Sequence, residues 1–330
     1  MVAPSRGEEP VQVARLRADV AGELAEVDAA ARAWSQLGAG LPPTQVRVVG
    51  RVGWVRANLR ALQGAFDPLA AKLTSNRALA SRAVGLQVGL LLGLLSTKVL
   101  GQYVLPLGGP GLGQLVVVGP NLLDLEARFG PLAADLRRSV LLHEVTHRLQ
   151  FDGVPWLGQH LRDLLARYLS HARMDGSAVK QIAGRLPGAL ARARDESSIT
   201  PIVEAVLTED QVAVVRDAQG LMSLLEGHGN AAMFRGAAGV VGDSAAVRGA
   251  LEQRRTDVTT RILAVVAGME MKQRQYREGE AFVAAIVDRV GTSGLNQAFA
   301  APENLPRADE VNDPDSWLER VGLAPSSEDG

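Results

Sequence analysis

The chain has 330 residues, a formal net charge of −1 and 47% hydrophobic residues, enough to bury a core without staples and too little charge to draw it to nucleic acid or anionic lipid. It has no cysteine, which excludes disulfides, thiolate metal sites and cysteine nucleophiles, so any metal must be held by histidine and carboxylate. Basic residues number 31 Arg against 4 Lys, a bias of genome composition, and clusters such as Arg254-Arg255 read as solvated faces.

In chain order, Met1 to Pro10 is polar and charged without an apolar core. It reads as a disordered tail, neither secretory signal nor anchor, and points to a cytoplasmic protein. Residues 11–37 read as a long amphipathic helix ended by Gly38-Ala39-Gly40 and Pro42-Pro43, and a second helical stretch follows from about residue 54. Ala83 to Leu95 is almost wholly apolar, but Gln87, Ser96-Thr97, Lys98 and Gln102 interrupt it and its extension to Leu105. It therefore reads as a buried core helix and not as a membrane span. Gly85, Gly89 and Gly93 recur every fourth residue there, a flat face expected to receive the helix at residues 131–153. Gly108-Gly109-Pro110-Gly111 reads as a turn, and Leu115 to Val118 as a short buried strand.

The next segment carries the chemistry. Pro131 suits a helix N-terminus, Leu132, Leu136 and Val140 repeat with helical period, Leu141, Leu142, Val145 and Leu149 widen the apolar face, and Gly153 and Pro155 end it. Within it stands His143-Glu144-Val145-Thr146-His147. Residues four apart share a helix face, so both imidazoles can bind one tetrahedral Zn2+ ion. Glu144, about 100° round the helix, is placed to act as general base toward a metal-activated water. An unpaired carboxylate in so apolar a segment would be costly without a cation.

Catalytic zinc takes three protein ligands. Position 150 is Gln and position 153 is Gly, which excludes the metzincin extension, and no Glu occurs between Glu144 and Glu196. The third ligand must lie farther on. The segment from Leu221 to Met233 reads as an apolar helix interrupted by Glu226 and His228. Glu226 shares a stripe with Met222, Asn230 and Met233, a carboxylate facing a core unless a cation meets it, and Asn230 one turn on is placed to orient the site. Glu226 and His228 point to nearly opposite sides, so one of them serves. Glu226 is favoured, with His228, His160, His171 or a carboxylate elsewhere as alternatives. Helical patterns continue to about residue 190, over 200–234 and over 249–290, followed by a polar loop from Thr292 to Pro314 and a short helix from Asp315 to Val321.

Four segments together are similar to a known family: residues 143–151, Leu224-Leu225-Glu226-Gly227-His228, Lys272-Gln273-Arg274-Gln275-Tyr276 with Gly279 and Phe282, and Pro302-Glu303-Asn304-Leu305-Pro306. The chain resembles the actinobacterial zincin-like metallopeptidases, zinc-dependent proteases and hydrolases with one branch associated with deazaflavin coenzyme biosynthesis. The resemblance spans about residues 30–322. It implies His143 and His147 as zinc ligands and Glu144 as the catalytic glutamate, and its Glu-Gly element matches Glu226-Gly227.

The expected fold is mainly α with a small β element, a zincin-like metallopeptidase architecture of two lobes around the HExxH helix. Residues 11–322 are expected to form one unit, with lobe one at about 11–190, lobe two at about 195–322 and a polar tail at 323–330. The expected activity is zinc-dependent hydrolysis of a peptide or small amide, with His228, Tyr276 or an arginine stabilising the oxyanion. The alternatives are a non-catalytic scaffold of the same fold and a small-molecule amidase of cofactor metabolism.

Overall fold

The computed structural model describes residues 10–65, 95–171, 209–262 and 269–323, with isolated positions between 89 and 93 and between 184 and 192. The expected tails apart from Pro10 and Leu323, the helical pattern over 172–183 and 200–208, most of the apolar helix at 83–95 with Gly85, and the side chains of Lys272 to Tyr276 lie outside the described residues. The chain divides into two compact units. The first comprises Met1–Phe66, Thr74–Gln159 and Gly229–Thr256, and the second Asp67–Leu73, His160–His228 and Asp257–Gly330.

In the first unit, helix α1 (Pro10–Ser35) buries Leu16, Val20, Val27 and Ala31, a stripe at helical spacing. The chain reverses through Gln36 and Gly38, both at positive φ, and enters β1 (Val46–Val49) and helix α2 (Arg51–Ala61). Strands β2 (Gly101–Val104) and β3 (Gln114–Val118) complete a sheet of order β1-β3-β2. β3 runs parallel to β1 and antiparallel to β2, with Val117 opposite both Val48 and Gly101. As the central strand it is covered on both faces, which explains its unbroken run Leu115-Val116-Val117-Val118 in place of alternation. Trp54, Leu92, Val104, Val116 and Val118 form one apolar cluster of this sheet.

Helix α3 (Gly119–Arg128) follows β3, with Pro120 in its first turn, and a 3-10 turn at Gly130–Leu132 leads into helix α4 (Ala133–Gly153). α4 buries Leu136, Leu141, Leu142, Val145 and Leu149 and packs along α1 and against β2 and β3. A buried Arg137 joins three helices, donating to Glu126 of α3 at 2.6 Å and to Glu23 of α1 at 2.8 Å. Burial pushes the Glu126 carboxyl up, and Arg137 opposes that shift.

The second unit holds most of helix α5 (Leu157–Ser170), the first part of α6 (Glu209–Arg235), α8 (Met269–Leu295) and α9 (Pro314–Arg320); most of α7 (Ser244–Ile262) belongs to the first. α6 and α8 cross at Gly227 and Gly279, where a Cβ on Gly227 would stand 2.2 Å from the Gly279 carbonyl oxygen. α9 is anchored by Trp317, which meets Phe282 edge to face at 5.6 Å and donates its indole N–H to the Asn304 carbonyl at 2.8 Å.

Among the described residues the chain is mostly helical with a small three-stranded sheet, the mainly α class with a small β element expected from the sequence. Two expectations need correction. A Cβ at Gly89 or Gly93 would meet nothing within 4 Å, so at these two positions the glycine face does not receive α4. Arg254 is half-buried and donates to the Lys98 carbonyl, so it is not simply solvated. Among the described residues no helix is long and apolar enough to cross a membrane.

Candidate metal centre

Helix α4 sets His143 and His147 one turn apart. Their rings meet edge to face with centroids 4.6 Å apart, and their Nε2 atoms face each other at 3.0 Å. That is close to the ~3.3 Å expected of two imidazole nitrogens on a tetrahedral ion with Zn–N bonds of about 2.0–2.1 Å. Gln150, buried one turn on, places its Oε1 at 2.8 Å from His147 Nδ1. An amide oxygen only accepts. With this oxygen facing the ring, the pairing favours the tautomer of His147 protonated on Nδ1, which keeps the Nε2 lone pair for a cation. Sequence reading missed Gln150, although its position three residues past a candidate ligand put it on the same helix face.

Glu226 is brought to the same place. His143, His147 and Glu226 each offer a ligand atom, and these atoms all lie within 4.8 Å of one another. Glu226 is carried by α6, which is continuous through Gly229. Gly229 lies against the His143 ring: a Cβ there would stand 2.9 Å from both Nδ1 and Cε1. Only a residue without a side chain leaves room for the imidazole. Two imidazoles and one carboxylate form the donor set that catalytic zinc takes, with a fourth position left over. Donor chemistry and the glycine cradle both fit a zinc ion.

Glu144 is buried on the same helix. Its carboxylate lies against Gly101, where a Cβ would stand 2.6 Å from Glu144 Cγ and 3.1 Å from Oε1. Gly101 opens β2, which forms the edge of the described sheet. The strand is tied to α4 by Tyr103, whose hydroxyl donates to Asp152, accepts from the Gly113 N–H at 2.8 Å, and whose ring stacks on Phe151 at 5.9 Å. Burial first and Asp152 second push the Tyr103 phenol well above its ordinary value, so it stays protonated and donating. Arg148 secures the other side, 3.4 Å from Asp152 and donating to Thr44 at 2.5 Å. Gly101 and Tyr103 were not read from sequence, since nothing in a four-residue strand announces what it lies against.

The other histidines are not members of that group. His228 is fully buried, its ring centroid 5.4 Å from that of Phe299. His171 stands 3.4 Å from Asp210, and His160 is on α5, where burial lowers its pKa. None of the three belongs to the group of His143, His147 and Glu226. Asn230 is fully buried on α6, and among the described residues neither its Oδ1 nor its Nδ2 has a hydrogen-bond partner.

A solved structure of a protein provisionally assigned as a hydrolase with a novel fold, from Chloroflexus aurantiacus, is similar to this chain with a TM-score of 0.68 and 25% identity, over 98% of this chain and 94% of that one. No curated protein matches. The family model for zincin-like metallopeptidases matches residues 1–318. Nearly the whole chain is thus accounted for by one family, and the protein belongs to the zincin-like metallopeptidases.

Proposed function

We propose that this protein is a zinc-dependent hydrolase of amide bonds, a metallopeptidase in type, with His143, His147 and Glu226 as metal ligands and Glu144 as general base. The observation that carries the reading is the convergence of one ligand atom from each of the three residues to within 4.8 Å. A zinc ion held there supplies a Lewis acid that polarises a carbonyl oxygen and acidifies a water. Glu144 accepts the proton of the attacking water and returns it to the leaving amine. Gly101 lets the carboxylate lie close to the backbone of β2, and Gln150 holds His147 with Nε2 unprotonated. The edge of β2 offers backbone groups to which an extended peptide can add as a further strand.

Replacing Glu144 by Gln tests the reading: zinc stays bound and amide hydrolysis, followed on a peptide library by mass spectrometry, falls at least about 10²-fold. Undiminished hydrolysis by the variant would remove Glu144 from the mechanism. His228→Gln, assayed in parallel, tests the oxyanion role proposed for it: reduced turnover with zinc retained supports that role, and unchanged turnover leaves His228 as packing against Phe299. A zinc-loaded wild type that cleaves no peptide or amide would favour a binding protein of the same fold.

A further inference from the structure

We infer that Asn230 is a positioning residue for the metal centre, its side-chain oxygen accepting the Nδ1 proton of His143 when zinc is bound. The inference rests on the zinc reading above. A ligating histidine needs an acceptor for its other N–H, because that bond fixes the tautomer and the plane of the ring. His147 has one in Gln150, at 2.8 Å. For His143, the backbone that lies against the Nδ1 edge of the ring is that of Gly229, where a Cβ would stand 2.9 Å away. The next residue along that backbone is Asn230.

Asn230 is also a residue whose amide has no hydrogen-bond partner among the described residues. It is wholly buried in the first unit, on the same helix as Gly229, and both polar atoms of its amide lack a hydrogen-bond partner. A buried carboxamide in that condition destabilises the fold unless some state of the protein uses it. It stands one turn past Glu226 on the same helix face, so it is directed to the side of α6 that carries the third ligand. An amide there supplies an acceptor to His143 while keeping N–H donors that suit the neighbouring Glu226 carboxylate. The two histidines are thus held alike, each by the oxygen of a buried carboxamide, one from its own helix and one from the helix that brings Glu226.

The test compares zinc affinity, by competition with a chromophoric chelator, for the full-length wild type, Asn230→Leu and Asn230→Asp. Leucine keeps the volume and removes the acceptor, whereas aspartate keeps an acceptor. Asn230→Leu is expected to bind zinc about 10–100-fold more weakly and Asn230→Asp within about threefold of wild type. Thermal stability of metal-free Asn230→Leu is expected to equal or exceed that of wild type, since an unpartnered buried amide has been removed. A residue that only packs would move stability and leave affinity alone. Wild-type affinity in Asn230→Leu, or equal losses in both variants, would overturn the inference.

If Asn230→Leu does not fold, nitrogen-15 NMR of the zinc-loaded wild type decides. A His143 ring metallated at Nε2, with a slowly exchanging Nδ1 proton, supports the inference, and metal on Nδ1 or a freely exchanging proton overturns it. A wild type with no affinity for zinc would overturn the metal reading itself, whereas a zinc-binding wild type with indifferent Asn230 variants overturns only the role of Asn230.

Discussion

Two glycines bear on the site through the space they leave. Gly229 admits the His143 ring and Gly101 admits the Glu144 carboxylate. Under the proposed function they serve different steps, so alanine at each should have separable effects. Gly229→Ala is expected to push the imidazole off its position and weaken zinc binding by about tenfold or more, roughly 1.4 kcal/mol. Gly101→Ala is expected to keep zinc and lose about 10²-fold in turnover, the scale of a catalytic group displaced by about 1 Å. Chelator competition and peptide turnover on the two purified variants check this; the same pattern in both would contradict it. His143, Glu144 and His147 were legible because their spacing states their geometry. Glu226 was legible as a carboxylate on an apolar stripe. The glycines were not, because what a missing side chain is for depends on what lies opposite, and here that is a residue more than forty positions away.

Elements differed in legibility for a related reason. α1, α4 and α9 begin and end within a few residues of their expected bounds because helical periodicity, prolines and glycines are local signals. β3 was read from its apolar run, but β1 and β2 were not. Each has four residues, too few for alternation to register, and each exists because β3 pairs with it. β2 nevertheless decides where Gly101 lies, and the Tyr103 hydroxyl ties it to Asp152 at the end of α4. Tyr103→Phe would leave Asp152 and the Gly113 N–H each short of a partner, at a cost of about 1–3 kcal/mol. Urea unfolding measures this directly; a midpoint unchanged from wild type would mean that the tie does not hold the strand.

At the scale of the whole molecule, the C-terminal part of the second unit is closed by Arg320, which reaches Glu310 at 2.5 Å and the carbonyls of Glu303 and Leu305 at 2.6 and 2.9 Å. Burial alone would raise the Glu310 carboxyl, but the bonds from Arg320 and the Arg307 backbone N–H outweigh it and hold the carboxyl below its ordinary 4.5. The unfolded chain then binds the proton more readily than the folded one. The stabilisation is present above about pH 4.5 and is lost as pH falls through the folded pKa. Glu310→Gln should therefore be less stable than wild type at neutral pH and converge with it in acid; a gap that persists at about pH 3 would contradict the assignment.

The family and the mostly helical class were legible because short motifs spread along the chain carry them. The discontinuous make-up of the two units was not, since it arises from contacts between residues far apart in sequence. The central claim is that His143, His147 and Glu226 hold one zinc ion, and elemental analysis of purified wild type and Glu226→Ala, without added metal, tests it most directly. About one zinc per chain in wild type and loss of it in the variant is the expected result. A wild type without zinc, or a variant that keeps its full equivalent, would contradict the account.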